Sequence, residues 1–434
     1  MGTTSLLCLA LLCSSMAFTA CVAAGLRLEL THVDANRTVE ERMRRAMART
    51  RQHRLASTDA VAAPIHWMKT QYIAEYVIGD PPQRAEAIID TGSNLVWTQC
   101  SGCSSSSTGC FDQNLPYYDP SQSSTGLAVS CGDAACSLGS ETQCASDGET
   151  CAVSTSYGAG DIAGVLGTET FTFGSSEKVT GLDFGCILAT ALTRGSLDGA
   201  SGIIGLGRGG LSLVSQLGET KFSYCLTRYD TDTVDQSHLF VGGSSAGLSP
   251  SSGAPVTSAP FLQNPDEDPY STFYYLPLTG IAVGDTTLDV PASAFALRQD
   301  SSGQWAGTII DSGSPFTTLV DVAYQALRAE LARQLSGSLV QPPEDGLDLC
   351  VARGKVVPPL VLHFGSGGGD LMVPSENYWG PVDDATCMMV FRSPSESTTI
   401  GNYMQQNMHL LYDLGNNVLS FQTADCSSMV SWCL

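Results

Sequence analysis

Apolar residues in this chain fall mostly into short strand-like runs separated by turn residues. Residues 72–78, 85–89, 165–173, 274–283, 308–310 and 418–421 read as strands. One helix stands out at 322–335, where Leu327, Leu331 and Leu335 share a face. A Ser/Gly/Pro stretch at 242–258 offers little to pack and reads as a linker or loop. The 44 Gly and 20 Pro in 434 residues favour many short strands over long helices. A chain this long predicts two lobes, mostly β, joined near residues 229–260.

The first residues follow a different rule. Residues 6–22 are uncharged and apolar or small, and small residues follow as far as Ala24. That is the pattern of a secretory signal peptide, 1–24, and too short and broken for a comfortable membrane anchor. The next segment, 25–65, holds eight Arg (27, 37, 42, 44, 45, 49, 51 and 54) against five acids. It is therefore +3 in a chain of −22, which leaves −25 for the remainder. An extended stretch, 26–33, precedes a helix in which Thr38 and Glu41 have capping-box spacing and Val39, Met43 and Met47 share a face. Asn36-Arg37-Thr38 is the chain's one glycosylation sequon. A basic segment between a signal and an acidic body reads as a prosegment, released after a cut between Ala56 and Lys69.

The acidic body argues against nucleic-acid binding, which needs clustered Lys and Arg. The 16 Cys exceed what a cytosolic enzyme keeps, and with a signal peptide they indicate disulfides. Seven of them lie in 100–151, a Ser/Gly-rich insertion with little core of its own, which needs covalent staples to be ordered. The pairing cannot be read from spacing. The expected destination is the secretory pathway, either extracellular or vacuolar.

The chemistry lies in an internal repeat. Ala87-Ile88-Ile89-Asp90-Thr91-Gly92-Ser93 recurs as Thr308-Ile309-Ile310-Asp311-Ser312-Gly313-Ser314, once per lobe. Ile-Ile anchors a strand end, Asp emerges at the turn, Gly allows a tight bend, and the hydroxyls can hydrogen-bond across the site. Lobes related by pseudo-symmetry would set Asp90 beside Asp311. Two carboxylates sharing a site keep one proton between them and can act as base and acid on one water.

On these residues the sequence resembles the pepsin-like aspartic proteases, and among them the plant nepenthesin-type branch, over nearly the whole chain after residue 24. The resemblance implies a mostly β, bilobal fold with pseudo-twofold-related lobes and a few short helices. It implies Asp90 and Asp311 as catalytic residues, supported by Thr91, Gly92, Ser93, Ser312, Gly313 and Ser314. Tyr157 and Gly158 match the flap that closes over peptide, and Trp97 matches the tryptophan behind it. Ile203-Ile204-Gly205 matches the apolar-apolar-Gly loop of the family. Thr399-Ile400-Gly401 departs from it at Thr399, and Gly158-Ala159-Gly160-Asp161 departs from the branch's Gly-Asp-Gly-Ser. The disulfides implied are Cys100–Cys103, Cys110–Cys186, Cys131–Cys151, Cys136–Cys144, Cys225–Cys426 and Cys350–Cys387, with Cys433 left over. A groove for extended polypeptide substrates, a preference for apolar residues around the cut, inhibition by pepstatin, no cofactor and no metal complete the implied picture.

The expected organisation is a prosegment at 25–65, an N-terminal lobe at 66–228 with its insertion at 100–151, a linker at 229–260 and a C-terminal lobe at 261–434. A monomer is expected. Two decoys fail on context. Gly205-Leu206-Gly207-Arg208-Gly209-Gly210 fits a dinucleotide pattern without a βαβ unit, and Gly243-Ser244-Ser245-Ala246-Gly247 fits a nucleophile elbow inside the expected linker. The six His are scattered, with no His-x-x-x-His pair for zinc. Three functions compete: an acid endopeptidase made as a zymogen, an inactive secreted binding or inhibitor protein on the same fold, and a plastid protease that also binds DNA. The second predicts a lost Asp or flap tyrosine, and the third a basic body with a transit peptide. The residues favour the first.

Overall fold

The computed structural model describes residues 26–32, 38, 71–103, 109–174, 177–228, 236–243, 248, 253–365 and 367–428. The expected signal peptide, the Arg-rich helix, the sequon and Cys433 lie outside them. The fold is mostly β, in two lobes built around equivalent strand pairs. In the first, the Gln83–Asp90 strand runs parallel to Gly202–Gly205, with Ile88, Ile89 and Asp90 beside Ile203, Ile204 and Gly205. In the second, Thr308–Ile310 runs parallel to Thr398–Ile400. Ile89 and Ile310 are buried, and both anchor the strand end that presents a carboxylate.

A large sheet joins the lobes. Lys221–Cys225 pairs with Met408–Asp413, which pairs with Val418–Thr423, which pairs with Val256–Pro260. The end of the chain thus returns to the first half. Aromatic rings fill the junction: Phe222 stacks on Tyr412 at 4.3 Å between centroids, and Tyr274 meets Tyr412 edge-on at 4.8 Å. The helix Asp321–Gln334 covers the second lobe with Leu327 and Leu331 buried.

Two expectations about the chain path change. The segment 229–260 is not a bare linker: it holds the strands Ser237–Val241 and Val256–Pro260, both in the joining sheet. Its Ser-rich stretch hid this, because each strand is completed by a partner far along the chain, Leu26–His32 for the first and Val418–Thr423 for the second. The run 274–283 divides into Tyr274–Tyr275 and Leu278–Val283 around Pro277, which lacks the N–H a ladder needs. The extended stretch expected at 26–33 is the strand Leu26–His32, inserted between Ser237–Val241 and Tyr72–Ile78 with Leu28 and Leu30 fully buried.

Six disulfides are present among the described residues. Cys225–Cys426 and Cys350–Cys387 are as expected, and four others are repartnered. Cys100 bonds Cys186, and Cys103 bonds Cys110, in place of Cys100–Cys103 and Cys110–Cys186. Strand register is the reason. Thr98 lies opposite Cys186, and the Cys100 N–H donates to the Ile187 carbonyl at 3.0 Å, so Cys100 emerges beside Cys186. Cys131 bonds Cys144 and Cys136 bonds Cys151, in place of Cys131–Cys151 and Cys136–Cys144. Here burial sorts the sulfurs: Cys136 and Cys151 share the apolar cluster around Trp97, while Cys131 and Cys144 sit at its outer edge.

No helix among the described residues is long and apolar enough to cross a membrane. Mass mapping of the unreduced protein should recover one peptide pair joining Cys100 to Cys186 and another joining Cys103 to Cys110. A Cys110–Cys186 link would overturn this register.

Candidate active site

Each lobe delivers one carboxylate to the base of a cleft of about 330 Å³ between them. Asp90 closes its strand, and Asp311 follows Ile310, its N–H donating to the Ile400 carbonyl at 3.0 Å. The loops that follow are near copies. Asp90 Oδ1 accepts the Gly92 N–H at 2.9 Å, and Oδ2 accepts the Ser93 hydroxyl at 2.6 Å. Asp311 accepts the Gly313 N–H at 2.8 Å and the Ser314 hydroxyl at 2.6 Å.

The loops then lock across the lobe boundary. The Thr91 N–H donates to Ser312 Oγ at 3.1 Å, and the Ser312 N–H donates to Thr91 Oγ1 at 2.9 Å. Both hydroxyls donate onward, Thr91 to the Ile310 carbonyl at 3.4 Å and Ser312 to the Ile89 carbonyl at 3.0 Å. All four partners are buried, so each group lost would leave an unpaired one. The glycines allow the approach. A Cβ on Gly313 would stand 2.3 Å from Asp90 Oδ1, and one on Gly92 would stand 2.9 Å from Asp311 Oδ1. Each carboxylate therefore rests against the opposite loop.

Confinement changes the chemistry of the pair. Burial first, then the charge of Asp311, pushes the Asp90 carboxyl up to about 7. Hydrogen bonds from Ser93 and Gly92 oppose this without cancelling it. Asp90 thus keeps its proton well above the usual carboxylate range.

Tyr157 ends the Cys151–Tyr157 strand at a hairpin, with Gly160 opposite it. Its hydroxyl accepts the Trp97 indole N–H at 2.9 Å, which spans the cleft wall from a fully buried ring. Burial and the Asp90 charge raise its pKa, so it stays a neutral hydroxyl. Gly158 also lines the cleft, so all the residues expected at the site are brought together.

The structure adds four residues that sequence reasoning missed. Gln71 is fully buried and donates to the Gly313 carbonyl at 2.5 Å. Gln405 donates to the Asp311 carbonyl at 3.2 Å and to the Ile400 carbonyl at 2.8 Å, and its own oxygen accepts from Tyr224 at 2.5 Å. Asn94 and Glu141 meet at the polar side of the cleft. No motif spacing marks them, because each arrives from a segment whose position only the fold decides. The glycine run 205–210 also finds its use here: Cβ atoms on Gly205, Gly207 and Gly209 would all stand within 2.5 Å of Asn94. The run wraps an asparagine rather than a nucleotide. No group of three or more metal-ligating side chains occurs among the described residues.

Comparison with known proteins agrees with this geometry. Residues 72–243 match the family described as xylanase inhibitor N-terminal, and 273–423 match xylanase inhibitor C-terminal. The chain is 37% identical to aspartic proteinase nepenthesin-1 of Nepenthes gracilis over 93% of this chain and 91% of the relative. It is 34% identical to nepenthesin-2 of the same plant, covering 93% and 91%. The crystal structure of basic 7S globulin from soybean shares the fold, with a TM-score of 0.66, 18% identity and coverage of 94% of this chain and 99% of that one. The chain belongs to the plant nepenthesin-type family of pepsin-like aspartic proteases.

Proposed function

We propose that the protein is a secreted aspartic endopeptidase that cleaves polypeptides in acid. The observation that carries the reading is the pair of carboxyls, each braced by its own loop and pressed against the opposite loop at the floor of the cleft. The ionised member takes a proton from a bound water as the water's oxygen attacks the scissile carbonyl. The protonated member donates to the carbonyl oxygen. As the diol collapses, the carboxyl that now holds the proton gives it to the leaving amine and one diol hydroxyl returns a proton to the other carboxylate, so the dyad ends with the single proton it started with. Tyr157 and its hairpin close over the substrate and exclude water. Six disulfides and the apolar N-terminal stretch support passage through the secretory pathway. A second reading, an inactive binding protein, is favoured by the matched families' description as xylanase inhibitor. Against it stand both carboxyls, the flap tyrosine and the complete set of bracing hydroxyls.

The zymogen reading has the Arg-rich helix pair with carboxylates around the cleft at neutral pH and leave as acid protonates them; the described strand of 25–65 adds a second contact to it. Leu26–His32 is woven into the joining sheet, and Arg27, the one described arginine of 25–65, faces no cleft carboxylate. It lies 3.7 Å from Glu29, 3.5 Å from His238 Nδ1, and over the Phe240 ring at 5.9 Å. Burial and then Arg27 hold His238 below the usual imidazole range, with Glu29 opposing. A histidine lowered on docking favours docking above its undocked pKa, and that contribution is lost as pH falls through about 6.5 and below. Acid would therefore loosen the strand by charging His238 beside Arg27.

Four outcomes are expected. Asp90→Asn or Asp311→Asn should lower turnover of a denatured protein at acidic pH by at least about 10²–10⁴-fold while leaving far-UV dichroism intact. Normal turnover in either variant would sink the dyad, and no turnover in the wild type would favour the binding protein. Activity should fall as pH rises through about 7, where the pair loses its shared proton. A carboxyl raised on folding stabilises fully below about 4 and loses that contribution as pH rises, so thermal unfolding of Asp90→Asn should gain on wild type toward neutral pH. Finally, in chain beginning at Gly25, His238→Gln should need lower pH than wild type to release the 26–65 peptide on gel filtration. Identical pH dependence would remove His238 from the switch.

A further inference from the structure

Among the described residues, three charged side chains line the cleft: Asp90, Asp311 and Glu141. The first two are occupied with each other and with their loops. Glu141 belongs to the Cys-rich insertion and precedes the short strand Thr142–Cys144, which pairs with Cys151–Tyr157 and so rests against the flap. Its backbone is pinned. The Glu141 carbonyl accepts the Ser154 N–H at 2.9 Å, and Thr142 Oγ1 donates to the Cys136 and Gly139 carbonyls at 3.1 and 3.2 Å. The Cys131–Cys144 and Cys136–Cys151 bridges tie down both flanks.

The carboxylate is only half satisfied. Asn94 Nδ2 donates to Oε1 at 3.0 Å, whereas Oε2 is buried with no hydrogen-bond partner. Asn94 has nothing left to offer, since Nδ2 also donates to Thr272 Oγ1 at 2.8 Å and Oδ1 accepts the Gly209 N–H at 2.8 Å. No Lys, Arg or His lines the cleft among the described residues. A part-buried carboxylate in a cleft wall with no described cation beside it favours a cation brought by a bound peptide.

We propose that Glu141 is a specificity-determining residue that recruits a Lys or Arg side chain of the peptide at one position near the cut. The inference rests on the proteolytic reading above. A substrate cation beside Glu141 and Thr272 pairs with the carboxylate, and no described Lys, Arg or His of the cleft lining competes for it. An acidic side chain at the same position meets like charge in a part-desolvated wall. The remaining lining, with Ile88, Trp97, Leu192, Leu197 and Ile203, takes apolar neighbours.

The test is a set of peptides sharing one apolar pair at the cut, with Lys, Met or Glu scanned through four positions on each side. Values of kcat/KM are compared, and non-hydrolysable reduced-bond analogues of the best position are titrated by calorimetry. Wild type should favour Lys over Met at one position by roughly fivefold, the upper range for a part-exposed pair. Glu141→Gln should bring that ratio to about one, and Glu141→Lys should transfer the preference to Glu. The ratio is read within each enzyme, so a general loss of activity cancels. Absence of a Lys preference at every position, or its survival in Glu141→Gln, overturns the inference even while cleavage proceeds. Glu141-dependent binding of Lys analogues without any cleavage supports it and defeats the protease reading instead.

Discussion

The reciprocal pair of hydrogen bonds between Thr91 and Ser312 is the contact on which the rest of the site depends. Each backbone N–H donates to the other residue's hydroxyl, so neither lobe can shift without unpairing two buried donors at once. A buried unpaired group costs about 1–3 kcal/mol, which makes the crossing register stiff. That stiffness matters because the residues beside it repel. Asp90 and Asp311 are held within contact of the opposing glycines, and nothing but the frame keeps them there.

The frame resists this repulsion from several directions. Gln405 holds the Asp311 and Ile400 carbonyls from below, and Tyr224 links Gln405 to Tyr412 in the aromatic junction. Cys225–Cys426 fastens a strand of the first half to the end of the chain. From the cleft side, Gln71 caps the Gly313 carbonyl. Among the described residues the dyad is thus supported by backbone groups and neutral side chains rather than by cations. A resident Lys or Arg would favour two ionised carboxylates. Without one, the cheapest state is the one that keeps a proton.

The dyad was legible in the sequence because pseudo-symmetry repeats it. One Asp-Thr-Gly-Ser is a turn, but two copies behind Ile-Ile require equivalent strands, and both strands are there. The helix with Leu327 and Leu331 was legible for an equally local reason. The strands Ser237–Val241 and Val256–Pro260 were not, since their pattern is weak and each is completed by a partner far along the chain, Leu26–His32 and Val418–Thr423. Four of the six disulfides that the resemblance implied are repartnered for a related reason: the parallel register of Val96–Gln99 with Glu177–Thr190 sets Cys100 against Cys186. Gln71, Gln405 and Glu141 escaped because each is ordinary in its own segment and acquires a role only from what the fold puts opposite it.

Position within the fold also separates the constant parts of this site from the adjustable ones. The carboxyls and their hydroxyls come from strand ends in the two lobes, where a shift of one residue would turn a buried isoleucine into the cleft. Glu141 comes from an insertion whose order derives from its own disulfides and from pairing with the flap strand. Such a segment can change its side chains without disturbing the register that sets Asp90 against Asp311. The strand Leu26–His32 is independent in another sense: it meets the body through an apolar ladder and one histidine, remote from the carboxyls. The proposed chemistry, recognition and restraint therefore sit on three separately anchored pieces of chain, and each can be altered while the other two keep their geometry.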